Sequence, residues 1–139
     1  MSTTSLSRPT EAEYAPFYAG YIQRVPDGEL FTLFNVQIVT IHTLLDPLTP
    51  TQADFRPAPS EWSIKEVVGH INDAERIMAY RALRIARGDV QPLLGFDQDS
   101  YVRESDFKDR ALDDLLEEFE FLRYANILAF HRIDRKSVV

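Results

Sequence analysis

His70 has Glu66 and Asp73 within one helical turn of it. Ile77, Tyr80, Arg81 and Arg84 continue the same stripe when residues are advanced at about 100° each. A plain surface helix carries lysine and glutamate on such a stripe; histidine, aspartate, tyrosine and arginine are residue types that build sites. A neutral imidazole ligates divalent metals, which makes His70 the candidate metal ligand. Glu66 and Asp73 are then the candidates for orienting it from behind or joining it on the ion. Arg81, Arg84 and Arg87 present paired donors that grip an anionic substrate group bidentately. The alternative is that they pair with Asp97, Asp99 or Glu75 and fix the following connector, as most arginine–carboxylate pairs do. Tyr14, Phe17, Tyr18 and Tyr21 fall at i, i+3, i+4 and i+7. Either these rings pack on the rest of the chain, or their hydroxyls rim a pocket, with Tyr21 and Arg81 and Arg84 as the substrate contacts. His42 and His131 have no second histidine at i+3 or i+4, so no helical two-histidine metal motif exists. There is no glycine-rich phosphate loop and no G-x-S-x-G elbow, so no catalytic residue can be named.

The stripe needs a long helix to carry it. Ser63 and Glu66 form a capping box, Gly88 stands where helices stop, and Arg84 and Arg87 complement the negative helix end. A helix over 64–87 follows, with Ile64, Val67, Val68, Ile71, Ala74, Met78, Ala82 and Ile85 as its apolar side. Pro26 and Asp27 open an earlier long helix, with Asp27 as its cap. Leu30, Leu33, Phe34, Ile38, Ile41 and Leu45 mark its period, and Pro47 and Pro50 end it. A third long helix covers about 112–133. Leu112, Leu115, Leu116, Phe119, Leu122 and Phe130 are its buried side, and Asp113, Asp114, Glu117, Glu118 and Glu120 form a solvated acidic face. A proline-rich connector spans 49–59, and a second one, 89–107, holds a short helix near 98–104. Residues 1–13 read as a flexible lead, 14–133 as one helical domain and 134–139 as a tail. No segment has strand periodicity, so the fold class is all-α: three long helices joined by loops of over ten residues, a bundle rather than a solenoid.

Length and composition agree. The chain has 139 residues, one domain's worth, and 45% of them are hydrophobic. It contains no cysteine, which removes disulfides, thiolate nucleophiles and cysteine zinc sites, and suits a cytoplasmic location. The net charge of −7 opposes nucleic acid as a partner. No apolar run is long enough to span a membrane, and residues 1–8 lack the apolar stretch of a signal peptide.

Three segments carry a family resemblance. They are Glu13 to Ile22; Trp62-Ser63-Ile64-Lys65-Glu66-Val67-Val68-Gly69-His70 with Ile71 to Arg76; and Tyr80-Arg81-Ala82-Leu83-Arg84-Ile85-Ala86-Arg87-Gly88-Asp89 followed by Gly95 to Tyr101. Together they closely resemble the DinB-like, DNA-damage-inducible family, over about residues 11–130. The resemblance implies an up-down-down-up four-helix bundle and a divalent metal, zinc or nickel, held by three histidines. His70 matches the one on the second long helix; the other two belong to a fourth helix. Related members are thiol-dependent S-transferases or isomerases, so the implied function is a metal-dependent enzyme of transferase or hydrolase type acting on a small molecule. The sequence ends at Val139 before a fourth long helix, so three long helices are expected, the fourth missing or incomplete. Weak or absent metal binding is expected with it, whether the chain is shortened, shifted in reading frame or a degenerate copy. An apolar groove left open in this way favours self-association, and a homo-oligomer, a dimer, is expected. The rival reading from another class is a non-catalytic module that binds itself or a partner helix through that groove.

Overall fold

The computed structural model describes residues 7–133. Among these, six α-helices and three short 3-10 segments follow one another without a strand. We label the helices α1 (Ala19–Arg24), α2 (Leu30–Leu45), α3 (Pro50–Asp54), α4 (Ile64–Ala86), α5 (Gln98–Glu104) and α6 (Leu112–Phe130). The long ones are α2, α4 and α6, and the fold is the helical bundle that the periodicity predicts. The tail at 134–139 and the first six residues of the lead lie outside the described residues. The described part of the lead carries a 3-10 turn at Glu11–Glu13. Arg8 there donates to the carbonyls of Ile22 and Val25 at 2.7 and 2.8 Å.

α4 starts and stops where its sequence dictates. The Ser63 hydroxyl accepts from the Glu66 amide, and the Glu66 carboxylate accepts from the Ser63 amide at 2.8 Å. Such a cap contributes about 1 kcal/mol. At the other end the Gly88 amide donates to the Ile85 carbonyl and the Asp89 amide to that of Arg84, the paired closure that needs a left-handed residue. Gly88 supplies it with φ of 74°.

α2 begins later than Asp27 predicts. Its cap is Glu29, whose carboxylate accepts from the amides of Phe31 and Thr32 at 3.0 and 2.7 Å. Those two bonds, burial acting against them, hold the Glu29 carboxyl below its ordinary value. Asp27 instead pairs with Arg8 at 3.0 Å. The connector at 49–59 is not bare: Thr49 and Gln52 close a second capping box, which starts α3.

α6 is the central element, packed against both α4 and α2. Two apolar clusters fill the interior. Val68, Leu115 and Leu116 lead one, with Ala53, Val102, Phe107 and Leu112. Phe31, Ile38, Phe119 and Ile127 make the other. The predicted apolar side of α4 is only partly buried: Val67, Met78 and Ile85 are exposed. The face turned to the core is displaced around the helix and includes Lys65, Glu66, Val68, Gly69 and Asn72. Most polar groups there have partners, the Oδ1 of Asn72 being the exception. The Lys65 ammonium donates to the Lys108 carbonyl at 2.7 Å and pairs with Asp54 at 2.8 Å, and Asn72 donates to the Leu115 carbonyl at 3.0 Å. On α6, the expected buried positions Leu112, Leu115, Leu116 and Phe119 are buried, and Leu122 and Phe130 are half-buried.

The aromatic segment divides between a 3-10 turn, Pro16–Tyr18, and α1. Its rings do not join the core: Phe17, Tyr18 and Tyr21 are exposed and touch one another. No helix of the described residues is long and apolar enough to cross a membrane.

Candidate functional site

His70 sits half-buried on α4, about two turns beyond its capped start. Its ring lies 5.0 Å from that of Trp62, inclined at 50°. Its Nδ1 is shielded from solvent and has no hydrogen-bond partner. The other histidines differ. His42 has Nδ1 3.0 Å from the Asp46 carboxylate, and its Nε2, although off line for a hydrogen bond, lies 3.3 Å from Glu120. His131 stacks on Phe31 at 3.7 Å.

The two carboxylates beside His70 face other groups. Glu66 is spent on the helix cap and on an ion pair with Arg56. Asp73 belongs to an electrostatic group with Arg76 and Glu118. Burial pushes its carboxyl above the ordinary value; Arg76 opposes this, Glu118 adds to it and His70 opposes it weakly. Glu118 behaves oppositely. Burial raises it, but hydrogen bonds from Arg76 and Arg110, both 2.6 Å, outweigh burial and hold it below the ordinary value. Because folding raises the Asp73 pKa, the ionised carboxylate costs stability at every pH above its unfolded value near 3.8. Asp73→Asn should therefore raise the urea midpoint at neutral pH, and the gain should vanish as the pH falls below 3.8. A midpoint that drops at neutral pH would show that Asp73 is held by its charge.

Arg81 and Arg84 are committed to the connector after α4, though not through the predicted acids. Arg81 donates to the Leu94 carbonyl at 2.8 Å. Arg84 donates through Nε to Asp89 at 2.6 Å and lies over the Tyr80 ring. That bond tightens the hold of Arg84 on its proton and lowers the Asp89 carboxyl. Tyr21 is remote in role, exposed against Phe17 of its own segment.

Two groupings escaped the sequence reading. Beside Trp62 opens a polar groove of about 260 Å³, lined by Arg56, Ser60, Glu66, Arg103 and Lys108 among others. Its basic residues come from two separate stretches of chain, Arg56 from one and Arg103 and Lys108 from the other, so no local pattern announces them together. The second is a buried polar knot. The Arg123 guanidinium donates to both Glu75 oxygens at 2.8 and 3.2 Å and to Gln37 at 2.6 Å, while Asn126 donates to Glu75 at 3.1 Å. Arg123 is also sandwiched by Phe34 and Phe119, 4.9 and 5.0 Å from their centroids. Here a signal was present: position 123 falls four residues after Phe119 and four before Ile127, on the apolar period of α6.

His70 thus offers one shielded, unengaged nitrogen, which suits a ligand. Among the described residues no group of three or more His, Cys, Asp or Glu is arranged to hold an ion. The described residues do not make up a metal centre.

A helical bundle with a half-buried histidine on its long capped helix is the class these observations define. The family model of the DinB superfamily matches residues 36–138, and the chain belongs to that superfamily. No curated protein matches it, and no solved structure does.

Proposed function

We propose that this chain is the scaffold of a metal-dependent enzyme of S-transferase or hydrolase type, working on a small molecule in the cytoplasm. His70 is its metal-side residue, and the remaining donors must come from outside the described residues. One observation carries this reading: the shielded, partnerless Nδ1 of His70 within the family-matched segment, with no carboxylate paired to it, whereas the equally shielded Nε2 of His42 faces Glu120. An unsatisfied buried polar atom costs about 1–3 kcal/mol, a cost that ligation would remove. For an anionic substrate, Arg81 and Arg84 would first have to leave Leu94 and Asp89. The groove beside Trp62 brings Lys108 next to the imidazole's neighbour, together with Arg56 and Arg103, which are paired with Glu66 and Glu104, and is the nearer entry.

Titration with cobalt or nickel, followed by the imidazole NMR signals, tests the assignment even when affinity is weak. The His70 resonances should broaden at lower metal concentration than those of His42 and His131, and His70→Ala should abolish that first phase. Equal broadening of all three rings, or a silent His70, would refute the role. Tight one-to-one binding lost in His70→Ala would show instead that the chain completes its own site.

A further inference from the structure

We infer that α6 pairs with α6 of a second copy of this chain, antiparallel, through its outward face. The core-facing side of α6 is filled, yet its opposite side is not polar. Phe121, Tyr124 and Leu128 are 65%, 45% and 71% exposed. They stand at i, i+3 and i+7, a continuous seam along one helix face. The small, exposed Ala125 lies at its middle and permits close approach.

The charges around the seam choose the occupant and the direction. Asp113, Asp114 and Glu117 mark its N-terminal end, and Arg132 follows its C-terminal end; all four are exposed. Arg76 and Arg110 border the acidic end too, but both are paired with Glu118, which leaves that end net acidic. Such a surface is its own complement only when turned end for end: Phe121 meets Leu128 of the second copy, and Glu117 comes to Arg132. A parallel pair would stack acid on acid. Opposed macrodipoles favour the same direction, and an isologous two-fold contact closes at two chains.

This inference rests on α6 alone and stands or falls independently of His70.

Sedimentation velocity at micromolar concentration should give a dimer. Phe121→Glu with Leu128→Glu, at solvent-facing positions that leave the circular dichroism unchanged, should weaken it by at least about 100-fold. Glu117→Lys should weaken it less, and adding Arg132→Glu should restore it. The chain lacks cysteine, so single cysteines report the geometry cleanly. Ala125→Cys, near the two-fold axis, should crosslink under mild oxidation; Leu128→Cys and Val39→Cys should not. A monomer, a dimer that survives the double glutamate variant, or crosslinking at position 128 as fast as at 125 would overturn the inference.

Discussion

Glu75→Ala is expected to cost about 3–5 kcal/mol of folding stability, the price of breaking a buried ion pair from one side. Glu75 and Arg123 expose only 17% and 10% of their side chains. The Glu75 carboxylate accepts three hydrogen bonds, two from the guanidinium and one from Asn126. Without it, a permanent positive charge is left between two aromatic faces, with Gln37 as its remaining acceptor. Against a typical total of about 5–15 kcal/mol, such a loss brings the chain close to unfolding at physiological temperature. Urea denaturation followed by circular dichroism measures it. Replacing both partners by methionine should come much nearer to wild type, because then no charge is buried. A Glu75→Ala midpoint equal to wild type would mean that solvent reaches the pair.

Gly69→Ala is expected to destabilise by about 2 kcal/mol at a position where helix propensity alone predicts a gain of about 1 kcal/mol. The added Cβ would overlap Cγ, Cδ1 and Cδ2 of the Phe107 ring. Phe107 is 6% exposed and packed in the same cluster as Val68 and Leu112, so it cannot step aside. Overpacking of this kind costs about 1–3 kcal/mol and sometimes more. Thermal melts of Gly69→Ala and of Gly69→Ala with Phe107→Leu decide the matter: the second change should recover part of the loss. An alanine variant that melts higher than wild type would show that α4 and the Phe107 turn stand further apart.

How far the sequence could be read depended on whether a signal was local. The whole of α4 was legible, since Ser63, Glu66 and Gly88 act on backbone groups within a few residues. α5 was legible too, with Asp97 accepting from the amides of Asp99 and Ser100. The α2 cap went to Asp27 rather than Glu29 because glutamate is a less common cap and both acids precede an apolar run. The facing of α4 was legible only in part: Val68, Ile64 and Ile71 do face the interior while Val67, Met78 and Ile85 do not, because periodicity finds apolar residues, whereas burial follows whatever has partners. Lys65 and Asn72 qualify through contacts 43 residues away, and no window of sequence contains both ends. His70 lies half-buried on the helix read for it, and Glu66 and Asp73 lie on that helix too, but Glu66 is used by the helix start and Asp73 sits among Arg76 and Glu118. The groove beside Trp62 was invisible for the same reason as the Lys65 contacts.

The central position of α6 shapes how the molecule comes apart. It packs on α4 more extensively than on α2, and α2 leans on α4 far less than on α6. Fluctuations below global unfolding should therefore peel α2 away first, releasing the Phe31–His131 stack and the Gln37 bond while the α4–α6 pair stays closed. In that opened form Phe119 and Ile127 lose their cover. The half-open species, rather than the unfolded chain, becomes the form that proteases and aggregation reach soonest.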